Sequence, residues 1–169
     1  MKIFDMFVEY IGKSENLPNE ICFFKEELVV NNIKLKNELK DVLKVISVSV
    51  DYEIRSIKLL NTATRTSNEG QRLSGKKLLV EIEFKFRVKY LSHSREKYLY
   101  LIKSSLSKVM YVVVPKTYKT YTIEEIVRKK GLGVKVHIED IFSKVRGDRE
   151  IYIRNLVLVD VFVKKNIIN

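Results

Sequence analysis

The chain has 169 residues, of which 46% are hydrophobic and 31% charged, and 32 Lys+Arg against 21 Asp+Glu give a formal charge of +11. That length fits one domain, which at this size buries roughly 70% of its unfolded surface and needs no metal or disulfide staple. A single cysteine, Cys22, excludes an internal disulfide, and two histidines, His93 and His137, are too few for a histidine- or cysteine-rich metal site. No apolar run approaches the roughly 18 residues of a membrane span and no signal-peptide layout opens the chain, so a soluble protein that stays in its cell is expected.

The N-terminus reads as a helix, because Ile3, Phe4, Phe7, Val8 and Ile11 recur on one helical face before Gly12. Residues 14–19, with Pro18, read as a linker, so the chain divides into a helix and linker over 1–19 and one β domain over 20–169. Ile21 to Val30 reads as a short strand ending at the turn pair Asn31-Asn32, and Ile33 to Val42 is ambiguous. From Ile46 the period becomes two: Ile46, Val48, Val50, Tyr52 and Ile54 alternate with polar residues. The apolar parity then switches to Ile57 and Leu59, which predicts a β-bulge near Arg55-Ser56.

The cleanest alternation is Leu78, Val80, Ile82, Phe84, Phe86, Val88, Tyr90, opposed by Glu81, Glu83, Lys85, Arg87 and Lys89. It predicts a strand of roughly 40 Å with its aromatics in the core and its cations in water. Tyr98 to Ile102 follows as a hairpin partner, and Val109 to Val114 as a strand covered on both faces and stopped by Pro115. Thr122 and Glu125 have capping-box spacing for a short helix that closes at Gly131 and Gly133. Val134, Val136 and Ile138 begin a strand, Gly147-Asp148 turns, and Ile151 to Val163 forms the last. The expected architecture is mainly β: an antiparallel β-sandwich of about seven strands, with two or three short helices, one of them N-terminal.

Charge is uneven along the chain. Residues 1–75 balance at zero, whereas 76–130 hold 14 basic and 5 acidic residues, net +9, together with six tyrosines. Such a field attracts nucleic acid, anionic lipid headgroups, an anionic polymer such as an acidic glycan or an acidic protein, or it is a solvated face. The expected interaction surface is the loop after Pro115, with Lys116, Tyr118, Lys119 and Tyr121, together with the exposed row Lys85, Arg87, Lys89.

No phosphate-binding glycine loop or nucleophile elbow appears, and nothing in the sequence points to a cofactor. His93 reads as a solvated turn residue, His137 as the partner of Glu139 in a same-face ion pair, and Cys22 as a small core residue whose alternative is an intermolecular disulfide. No catalytic residues are assigned.

One segment is more specific. Glu69-Gly70-Gln71-Arg72-Leu73-Ser74-Gly75-Lys76-Lys77-Leu78, entering the long strand, resembles the turn of the SPOCS domain family, shared by spore-morphogenesis proteins of endospore-forming bacteria. The resemblance covers roughly residues 20–163. It implies a β-rich, non-enzymatic module of the spore envelope, made in the mother-cell cytoplasm and carried to the spore surface, with other envelope proteins or itself as partners. The LysM module that accompanies such domains has no counterpart before Asn169. Physically, Gly70 and Gly75 permit the positive φ of tight turns, and Glu69, Gln71 and Arg72 read as parts of a structural turn rather than a binding site.

Overall fold

The computed structural model describes residues 7–165 apart from Ser67, Glu69 and Gln71. In chain order the elements are β1 (Glu9–Ile11), β2 (Phe23–Lys34), β3 (Val42–Asn61), β4 (Arg65–Thr66), β5 (Arg72–Leu73), β6 (Lys76–Ser92), β7 (Leu99–Val113), β8 (Thr117–Tyr118) and β9 (Tyr121–Thr122). A six-residue helix α1 (Ile123–Arg128) precedes β10 (Leu132–Arg146) and β11 (Glu150–Val163). The chain is mainly β, in four sheets ordered β1-β3-β6-β7, β10-β11-β2, β4-β5 and β8-β9. Among the described residues no helix is long and apolar enough to cross a membrane.

Strict alternation makes β6 the centre of the larger sheet. Its even-numbered residues from Leu78 to Tyr90 are all at most 1% exposed, and the opposite row meets solvent. On the smaller sheet Ile151, Ile153, Val157, Val159 and Val161 bury the same way. All belong to one hydrophobic cluster shared by both sheets, in which fully burying each large side chain stabilises the fold by about 1.5–3 kcal/mol. The predicted bulge is present as a register shift between Ile54 and Ser56; Ile54 before it and Leu59 after it lie against this core, whereas Ile57 stays exposed. The helix begins as its spacing predicts: Thr122 Oγ1 accepts the Glu125 N–H, and Glu125 returns a carboxylate to the Thr122 N–H. Ile123 and Ile126 bury its inner face in the common core.

Four expectations change. A single helix is described instead of two or three. The N-terminal stretch is not helical where it is described: Glu9–Ile11 pairs in parallel with Ser47–Ser49, while Ile3 and Phe4 lie outside the described residues. Asn31-Asn32 is not a turn, because β2 runs through both and stays paired with Tyr152 and Ile153 of β11. Tyr98–Ile102 and Val109–Val114 are not separate strands but largely one, β7, in register with β6 from Leu91↔Leu99 to Lys77↔Val113.

The two larger sheets meet along two sides. On one, β1 lies parallel to β3 and also reaches β10: the Ser143 N–H donates to Tyr10 Oη, the Ser14 N–H donates to the Ile138 carbonyl, and Lys13 pairs with Asp140 at 2.6 Å. Gly12 (φ 107°) ends β1 so close to Val50 that an added Cβ would lie 2.0 Å from the Val50 carbonyl oxygen. On the other side, β2 and β7 share no ladder among the described residues. They are joined by side chains, with Lys108 pairing with Glu27 at 2.8 Å and Asn31 Nδ2 donating to Ser104 Oγ at 3.3 Å.

Candidate interaction face

The outward row of β6 is flanked in register by β3 and β7, so Lys89 lies between Ser47 and Leu101, Arg87 between Ser49 and Lys103, and Lys85 between Asp51 and Ser105. Next along the strand come Glu53↔Glu83 and Ser56↔Glu81. The sheet therefore carries an acidic band beside a basic one, and where they meet the charges are neutralised. Lys85 Nζ donates to Glu53 at 2.8 Å, and Arg55 bridges Glu53 and Glu83. The hydrogen bond from Lys85 holds the Glu53 carboxyl below its ordinary pKa, and the same bond holds the Lys85 ammonium above its own.

Beyond that boundary the cations stand without counter-ions. Among the described residues, Arg87, Lys89 and Lys103 make no ion pair, and Arg87 reaches only Ser49 Oγ, at 3.5 Å. Arg87 and Lys103 are directly opposite across the β6–β7 ladder, an arrangement that destabilises a sheet when nothing neutralises it. Two depressions flank Arg87. One, of about 420 Å³, has a mixed lining of Asp51, Glu83, Lys85, Lys103 and Ser105, and the other, of about 330 Å³, is lined by Ser47, Lys89 and Leu101 without an acidic side chain.

The loop after Pro115 takes a different role from the one expected. β8 and β9 form a tight hairpin with Lys119 at its tip (φ 54°). Tyr118 packs edge-on against Phe23 with ring centroids 6.0 Å apart, and Tyr121 lies beneath the Lys129 ammonium at 4.7 Å. Both rings are half-buried against the core, so only Lys116 and Lys119 remain outward. Nor does the fold bring this loop to the basic row. Val114 bonds Lys76, and Lys85 to Lys89 lie 9 to 13 residues further along β6, roughly 30–40 Å at strand spacing.

The motif turn closes the β3–β6 hairpin. Gly70 and Gly75 both have positive φ, 82° and 79°, and a Cβ on Gly75 would press within 2.8 Å of the Thr62 carbonyl oxygen. The Thr62 N–H donates to the Gly75 carbonyl, and Ser74 Oγ bonds Val114 and accepts from the Lys76 N–H. Arg72 pairs with Thr66 in the small β4–β5 ladder, whereas Glu69 and Gln71 lie outside the described residues.

Of the reactive side chains, His93 is exposed in a turn. The expected His137–Glu139 ion pair is absent. A bulge between Ile138 and Asp140 interrupts the alternation that would have aligned the two, and the pKa of the Glu139 carboxyl is pushed up by burial and by the neighbouring Glu26 carboxyl. Cys22 is exposed rather than in the core. Among the described residues no group of three or more histidine, cysteine or carboxylate side chains is placed to hold a metal. Lys103 escaped the sequence reading, and its signal was the exposed row Lys103, Ser105, Ser107 that continues the hairpin partner of β6. Compared with known proteins, the chain matches no family, no curated sequence and no solved structure.

Proposed function

We propose that this chain is a non-enzymatic structural and interaction module of the bacterial spore envelope, delivered from the mother-cell cytoplasm to the spore surface. Its two larger sheets pack as an antiparallel sandwich, and it works by self-association or by docking to another coat protein through the outward face of β3, β6 and β7. The observation that carries the docking role is the opposed pair Arg87–Lys103 with Lys89 beside it, exposed and without counter-ions. Like charges opposite one another cost stability, so an anionic partner that covers them gains both attraction and relief of that repulsion. The spore setting rests on the family resemblance alone, whose most specific part is residues 69–78.

The same cations support a second reading, a binding module for nucleic acid or an anionic cell-wall polymer. Light scattering at low and high salt tests the pair of readings. Assembly that survives salt and is lost in Arg87→Ala/Lys89→Ala supports the envelope module. A monomer that holds polyanion at low salt and sheds it steeply as salt rises, through counterion release, supports the second. A monomer indifferent to polyanion, with the double variant unchanged, sinks both uses of this face.

A further inference from the structure

The side where β2 meets β7 is the least explained part of the molecule. Next to the Asn31–Ser104 hydrogen bond lies a groove of about 390 Å³. Its walls include the consecutive residues 32–34 of β2 and 101–104 of β7. Alternate side chains of a strand point to opposite faces, so consecutive residues line one groove when the strand edge itself faces it. Two strand edges therefore confront the same space, and neither is paired there. The charged residues around it are Lys34, Lys36 and Lys103, with no acidic side chain among the lining residues, and Leu39 and Ile102 supply an apolar floor.

The opposite side shows how this fold fills such a gap. There β1 sits between two sheet edges, laddered to β3 and side-chain bonded to β10. The β2–β7 side has the same two-edge arrangement without a strand in it. Lys103 and Ser104 also line the 420 Å³ depression beside Arg87, so the groove continues from the basic face around the edge of β7.

We propose that this groove takes an extended acidic segment of a partner protein, which adds to the free edge of β7 as a further strand. The backbone groups of residues 99–104 would supply the ladder, as in other strand-addition complexes. Lys34, Lys36 and Lys103 would meet the carboxylates of the segment, and Leu39 and Ile102 its apolar side chains. The proposal builds on the docking role above, and it names the chemistry of the partner.

The test uses the full chain and two labelled ten-residue peptides, one alternating Glu and Val, the other Lys and Val. The acidic peptide should bind at least about tenfold tighter by fluorescence anisotropy, and it should slow amide hydrogen exchange at residues 99–104. Lys34→Glu/Lys36→Glu should weaken that binding on the order of tenfold, because each reversal turns an attractive cross-interface charge pair into a repulsive one. Equal binding of both peptides overturns the proposal, as does protection that spares 99–104. Protection there in the protein alone, rising with its concentration, also overturns it and assigns the edge to a second copy. The two readings fail separately. Arg87→Ala/Lys89→Ala that changes nothing in assembly removes the basic face and leaves the groove, whereas Lys34→Glu/Lys36→Glu that still binds the acidic peptide removes the groove and leaves the face.

Discussion

The two sides of this β body are closed by different physics. Along β1 the closure includes backbone bonds, a parallel ladder to Ser47–Ser49 and an N–H from Ser14 to Ile138, with Gly12 pressed onto Val50, and side chains of Tyr10 and Lys13 add to it. Along β2 and β7 it is one ion pair and one side-chain hydrogen bond. A ladder of backbone bonds holds as a set, whereas isolated exposed side-chain pairs break and reform at little cost.

That contrast can be broken at graded points. Gly12→Ala should be the most damaging change, costing about 3 kcal/mol or more in urea denaturation, because its Cβ collides with backbone at a positive φ. Tyr10→Phe, on the same side, removes the acceptor of the Ser143 N–H and should cost about 1–2 kcal/mol. Lys108→Ala, on the other side, should cost at most about 1 kcal/mol, since both partners of that ion pair are partly exposed. If Lys108→Ala proved as harmful as Tyr10→Phe, the two sides would not differ in kind.

The smallest expected effect depends on pH. The hydrogen bond from Lys13 holds the Asp140 carboxyl below its ordinary pKa. A depressed carboxyl stabilises the fold above the unfolded value near 3.9, and this contribution is lost as pH falls through the folded value. At pH 7 the Asp140→Asn variant should be less stable than the wild type by at most about 1 kcal/mol, with the gap closing in strong acid. A gap that widened on acidification would mean the pair does not hold this side.

What was legible in the sequence follows from how strongly each pattern constrains the chain. The seven-position alternation of β6 admits no helical reading, and it placed both the buried row and the cation row. The parity switch gave the bulge, since only an extra residue returns apolar side chains to the core. Short apolar sets are weaker: five positions over nine residues fit a helix face, yet Tyr10 and Ile11 are held by strand partners far away in sequence. Tyr118 and Tyr121 looked exposed because their neighbours are polar, but a two-residue hairpin turns both rings onto the core. The groove was illegible for another reason. It is made by two strands more than 60 residues apart that touch without pairing, and no local pattern encodes that.

The contacts of Tyr10 also bear on how the protein is made. Its partner Ser143 lies 133 residues later. At about 5–20 residues per second, a ribosome needs roughly 7–27 s to supply that partner after Tyr10 is synthesised. Until then the larger sheet lacks the β10 and β11 strands that cover its core face, and contacts this distant in sequence are slow to form even once both ends exist. The nascent protein thus spends an adhesive interval with β1 able to ladder to β3 but with its contacts to β10 still missing, and crowding at the site of synthesis should decide how much of it reaches the folded state.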